Sequence, residues 1–369
     1  MKVDTISLNS VRLNTIALNH IGEIRSGGGG SKPSPIPQWI REHVVFYYDV
    51  KKQGATNETL KESAYLQDLS GKGRRMKLNN FLFAEMSGVG GYNDNFSNWR
   101  TDSNNGAVKI ESDSSIVIQS VKIEYRGVLY QDSAKKATLK CNITGITEEL
   151  KGKLIFRYTD AEGSKNITLE NGYFELNSSE YEGLSGWYGF TSKQPIDNCN
   201  ITITQIPEYP GALVTDGVDD YGLVENLSNG VKMLFMTVNP IGNYNINKTY
   251  YTQRNVNSVN DPFSVFSIDV NIAYNYRNAG GETYINGTIN ESIKCNELFG
   301  RKHIITIKND TVNSNNSKTP IYFSGEGHTV YFSKLAFYNS IAFDSIPTEA
   351  DGFTEQELID YVLTNIIGQ

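Results

Sequence analysis

Aliphatic residues recur at a period of five over residues 3–24, in the units Val3-Asp-Thr-Ile-Ser, Leu8-Asn-Ser-Val-Arg, Leu13-Asn-Thr-Ile-Ala and Leu18-Asn-His-Ile-Gly. That period matches neither the 3.6 of a helix nor the 2 of a strand. It suits a square β-coil with one unit per side and Ile6, Leu8, Val11, Leu13, Ile16, Leu18 and Ile21 pointing inward. Four such units make about one turn, whereas repeat units become stable by stacking on roughly three or more neighbours. Residues 1–25 are therefore expected to act as an anchor that completes its core on another protein or on copies of itself. A short edge hairpin packed on its own domain is the alternative.

Beyond residue 40 the pattern changes to short apolar runs bounded by turn residues, as strands require. Strands are expected at 42–49, 76–83, 115–125, 137–146, 153–158, 166–169 and 199–206, with a Gly/Asn-rich loop over 87–99. They continue at 212–224 around a turn, then at 231–238, 264–275, 283–289, 303–308, 319–323 and 329–338. One segment departs from this pattern. Thr354-Glu-Gln-Glu places an N-cap threonine three residues before a glutamate and ahead of Leu358, Ile359, Val362 and Leu363, which predicts a short terminal helix.

Between anchor and body lie Gly27 to Gly30 and then Lys32-Pro-Ser-Pro-Ile-Pro37. Glycines resist ordering, and each proline fixes φ and disfavours helix before it, so the expectation is a flexible joint followed by an extended spacer. An engineered linker would look similar. The closely spaced strands of 107–206 suggest a small sandwich of their own. The resulting division is an anchor (1–25), a linker (26–38), the first part of a β-sandwich (39–106), an inserted β-sandwich (107–206), and the second part of the outer sandwich with its helix (207–369).

Composition refines this picture. A net charge of −7 with scattered basic residues gives no footprint for nucleic acid, and abundant Asn, Tyr and Phe favour strands and turns. No apolar run reaches the length of a membrane-spanning helix, and no secretion signal opens the chain, so a soluble protein without membrane insertion is expected. Cys141, Cys199 and Cys295 lack metal-ligand spacing and read as buried thiols, with a Cys141–Cys199 bridge as the alternative.

Three landmarks then stand in a telling order: Asp68-x-Ser-Gly-x-Gly73 ahead of a strand ending at Phe81, Asp216-Gly-Val-Asp-Asp-Tyr221, and Leu335-Ala-Phe-Tyr-Asn339 leading to the acidic helix. In that order they resemble the LamG-like, concanavalin A-like lectin/glucanase domain. The resemblance implies an all-β fold: a concanavalin A-like jelly-roll sandwich interrupted by a smaller inserted β-sandwich, with a short N-terminal β anchor and a short C-terminal helix. With the insert and Glu208-Tyr-Pro-Gly-Ala-Leu-Val, the chain is similar to virion appendage proteins of tailed bacteriophages. That likeness implies a non-enzymatic head or tail fibre located in the virion and bound to a capsid or tail protein through residues 1–25. It would be a trimeric or dimeric homo-oligomer displaying a lectin-like domain to glycans; a dedicated carbohydrate-binding adhesin is the alternative. Where the family often has Asn after Ser-Gly, this chain has Lys72, followed beyond Gly73 by Arg74 and Arg75.

Candidate chemistry is sparse. Glucanases on this fold use Glu-x-Asp-x-Glu along one strand to flank the scissile bond with carboxylates. The nearest fragment, Glu111-Ser-Asp113, lacks the second Glu, and His20, His43, His303 and His328 are dispersed, so no catalytic residue is assigned. No cofactor is expected, unless Asp216, Asp219 and Asp220 ligate calcium; the same residues suit a tight turn. Sugar faces stack on aromatic rings. Trp99, Trp187, Tyr188, Tyr250 and Tyr251 are accordingly the candidates for glycan contact, with Tyr92 and Tyr244 behind them, provided that they stand exposed in loops.

Overall fold

The structure, a computed structural model, describes residues 35–368 apart from 133–137, 161, 178–186, 226, 228–229, 242–247, 254–262, 270–271, 275–281, 290–297, 309–319 and 326–332. The pentad anchor, Gly27–Gly30, Tyr244 and Cys295 lie outside these residues. The chain is all-β, built from antiparallel sheets with a short helix near each end of the described residues. Among the described residues no helix is long and apolar enough to cross a membrane.

Two compact units are present. The first takes in residues 35–83, 87–89 and 211–368, the second Ala84–Met86 and Gly90–Pro210. The first unit holds an eight-stranded and a seven-stranded sheet. Leu335–Phe343 is the hub of the larger sheet, pairing along its length with Met233–Pro240 on one side and with Leu213–Val214 and Val44–Asp49 on the other. Strands Val44–Asp49 and Met233–Pro240 are buried at every position because both faces of this sheet are covered. On one face Phe46, Tyr48, Leu234, Met236 and Ile305 meet Met76, Leu78, Val224, Ile321 and Phe323 of the smaller sheet. On the other face Tyr47, Phe235, Ile341 and Phe343 pack against Trp39 and Ile40 and against Leu358, Ile359, Val362, Ile366 and Ile367. Each such side chain contributes roughly 1.5–3 kcal/mol by leaving water, which gives the two helices their hold on the sheet.

The N-terminal boundary differs from expectation. Pro35–His43 is a helix, so the extended spacer does not reach Pro37, and the strand begins at Val44 rather than at residue 42. Both prolines fall in the first turn, where backbone N–H groups have no intrahelical acceptor, and Trp39 and Ile40 supply the buried face. The C-terminal helix forms as its capping signal predicts. Thr354 Oγ1 accepts from the Glu357 amide at 3.2 Å while the Glu357 carboxylate accepts from the Thr354 amide at 2.6 Å, and Glu355–Tyr361 continues into a π-helical turn over Val362–Ile367.

In the second unit two five-stranded antiparallel sheets enclose one core. Ile116, Ile118, Leu139, Cys141, Ile143 and Ile203 come from one sheet, and Leu129, Leu154, Phe156, Tyr158, Tyr188 and Phe190 from the other. Strands Gly106–Ser112, Leu129–Asp132, Gly172–Asn177 and Trp187–Ser192 complete these sheets. Cys141 and Cys199 are free thiols; Cys141 is buried, whereas Cys199 is half-buried and directs its Sγ to the Ile118 carbonyl at 3.3 Å.

Candidate functional site

Two groups of side chains in the described residues have the makings of a site, one in each unit. The first is the acidic turn. It joins Leu213–Val214 of the larger sheet to Tyr221–Val224 of the smaller one, so the chain changes sheets here. Asp216 Oδ1 accepts from the amides of Val218 at 2.7 Å and Asp219 at 3.4 Å, and the Asp216 amide donates to Asp220 Oδ2 at 2.9 Å. Gly217 sits at φ +79°, a left-handed conformation that favours glycine, and a Cβ there would come within 2.9 Å of Lys334. Next door, Thr215 Oγ1 donates to the Ser333 carbonyl at 2.6 Å and accepts from the Leu335 amide at 3.0 Å, pinning the start of the turn.

These bonds are what a tight turn needs, yet they leave something over. Oxygens of Asp216, Asp219 and Asp220 converge to within 4.8 Å of one another. Asp220 is fully buried, and its Oδ1 has no hydrogen-bond partner. Burial pushes its carboxyl up to about 7, opposed by bonds from the Asp216 amide and the Ser87 hydroxyl and reinforced by the charges of Asp216 and Asp219. Among the described residues no lysine or arginine forms an ion pair with any of the three.

The second group lies on the outer face of the second unit's Trp187-bearing sheet. Alternation along Trp187–Ser192 turns Tyr188 and Phe190 into the core and leaves Trp187 and Gly189 on the opposite face. Register places Tyr130 and Arg157 on either side of Gly189. The Tyr130 and Trp187 rings meet edge to face at 5.9 Å, and the Arg157 guanidinium lies 5.7 Å from the Trp187 centroid and 5.6 Å from that of Tyr125. Its Nη1 donates to the Tyr125 carbonyl at 3.1 Å and its Nη2 to Ser164 Oγ at 3.2 Å, which holds the guanidinium plane in place. Glycines clear the space around the rings: a Cβ at Gly189 would stand 2.3 Å from the Leu129 carbonyl oxygen, and one at Gly127 3.1 Å from the Trp187 ring. Tyr125 is exposed, and Tyr130, Arg157 and Trp187 are half-buried.

The other predicted glycan contacts fare differently. Trp99 is buried, its ring edge-on to Phe96 at 5.3 Å and to Tyr188 at 5.5 Å, and Tyr188 is buried beside it. Both belong to the core, out of reach of a ligand. Trp187-Tyr188 belongs to a strand rather than a loop, and Tyr250 and Tyr251 lie in the strand Lys248–Gln253, their side chains outside the described residues. The anchor residues Ile6, Leu8, Val11, Leu13, Ile16, Leu18 and Ile21 are likewise outside them. Asp68, read as part of a turn, is a buried organiser whose carboxylate accepts from the amides of Tyr47 at 3.0 Å, Ser70 at 2.9 Å and Arg74 at 2.9 Å. Sequence reading missed Tyr125, Tyr130 and Arg157, because they join Trp187 only through strand pairing.

No protein-family profile, curated protein or solved structure matches the chain.

Proposed function

We propose that the chain is a non-enzymatic component of a tailed-bacteriophage virion, a head or tail fibre held through residues 1–25, whose β-sandwich body meets glycans through the second unit. The observation that carries the binding half of this reading is the Tyr125–Arg157–Trp187–Tyr130 array. Flat rings receive the C–H faces of sugars, and a guanidinium held beside two rings donates to hydroxyls or carboxylates without first losing much rotamer freedom. Several weak sites brought together in a trimer or dimer would gain through multivalency. The fibre half rests on the pentad units and the glycine run, since four units fall short of a stable stack.

A glycan array probed with the full chain tests the first half. Binding that drops at least about tenfold in Trp187→Ala, with the circular dichroism unchanged, is the expected result; no glycan bound, or no effect of the substitution, overturns it. Mass spectrometry of purified particles tests the second half, with stoichiometric presence expected and absence decisive against it. A dedicated adhesin would use the same face. Removing residues 1–25 distinguishes the two, because a fibre then loses particle incorporation whereas an adhesin keeps its sugar binding and its location.

A further inference from the structure

The Asp216–Asp220 turn has an unmet electrostatic requirement. Among the described residues, three carboxylates converge without a cationic side chain to balance them, and a fully buried oxygen, Asp220 Oδ1, is left without a partner. Burying an unpaired carboxylate is costly enough that such groups are ordinarily bonded, paired or bound to a metal. We propose that this turn binds one calcium ion through Asp216, Asp219 and Asp220.

Size argues for calcium over the commoner magnesium. Ca²⁺ takes oxygen ligands at roughly 2.3–2.6 Å, so oxygens on opposite sides of the ion stand about 4.6–5.2 Å apart. The three carboxylate oxygens lie within 4.8 Å of one another, inside that span. Mg²⁺, at roughly 2.0–2.1 Å and with octahedral demands, would require opposite ligands drawn to about 4.2 Å. Asp219 is exposed, leaving a side of the ion open to waters that complete its coordination. The site also lies where the chain passes between the two sheets of the first unit, so an ion here would brace that crossing.

The test uses the full chain, stripped with EDTA and dialysed, then titrated with CaCl₂ by calorimetry and with TbCl₃ by luminescence, for which the neighbouring Tyr221 is a sensitiser. One ion per chain, a rise in Tm in millimolar Ca²⁺, and at least about tenfold weaker binding of Mg²⁺ are expected. Asp219→Asn, at an exposed turn position, and Asp216→Asn, which keeps an oxygen acceptor for the turn amides, should each weaken Ca²⁺ binding at least about tenfold with circular dichroism unchanged. Absence of binding up to millimolar Ca²⁺, equal affinity for Mg²⁺, or wild-type affinity in both variants would overturn the assignment.

Discussion

Replacing Lys308 by Met should loosen the C-terminal helix in a way that depends on pH. Lys308 Nζ lies 2.6 Å from Glu355 at the start of that helix and 3.4 Å from Glu282 on the adjoining strand, and the Tyr284 hydroxyl reaches the same two carboxylates at 2.9 and 2.7 Å. The Lys308 side chain is 15% exposed, that of Glu355 23% and that of Glu282 44%, so the cluster falls between two limits. An exposed pair is worth about 0–1 kcal/mol, whereas removing one partner of a buried pair costs about 3–5 kcal/mol. For this cluster we expect a loss of about 2–3 kcal/mol at pH 7, because two carboxylates then share a single hydroxyl proton. Acid should narrow the difference. The Tyr284 hydroxyl and then Lys308 hold Glu282 below the usual carboxylate range, so its contribution is complete above that range and is lost as pH falls through the depressed value. Once Glu282 is protonated, wild type has no ion pair with it to lose and the variant suffers less repulsion. Urea unfolding at pH 7 and pH 3, with amide exchange of Leu358–Tyr361 as a local probe, should show a narrower gap at the lower pH. An undiminished gap at pH 3 would mean that Lys308 acts through its aliphatic stem, and the electrostatic account would fail.

Two further substitutions probe packing and backbone. Trp99→Ala removes a buried indole stacked on Phe190 and should destabilise the second unit by about 3–5 kcal/mol in denaturant unfolding; a loss under about 1 kcal/mol would refute its placement in the core. Ala64 ends the helix Asn57–Ser63 at φ +56°, and its amide donates to the Leu60 carbonyl, so Ala64→Gly should relieve backbone strain and raise stability by up to about 1 kcal/mol. A lower Tm in that variant would contradict the assigned cap.

Local signals served well wherever neighbours along the chain decide the outcome. The Thr354 capping box, the alternation of Met76–Asn79 and Ile201–Gln205, and the Asp-Gly corner at Asp216 are each set within a few residues. They failed where burial depends on distant partners. Trp187 and Tyr188 are adjacent, yet one faces outward and the other inward, because strand pairing with Leu129–Asp132 and Leu154–Asp160 fixes which face is core. Lys32–Pro37 reads as a proline-stiffened spacer, yet Pro35–His43 is a helix because Trp39 and Ile40 find the sheet face around Phe343.

By itself, then, the sequence determined an all-β chain, the terminal helix, and an acidic corner whose residues are close because they are consecutive. Only the tertiary structure decided that Asp220 is wholly buried with an unpaired oxygen and that Arg157 stands beside both Tyr125 and Trp187. The physical reason is range. Turn geometry and caps are satisfied by bonds spanning a few residues, whereas desolvation and the meeting of side chains from separate strands depend on how the sheets pair and pack.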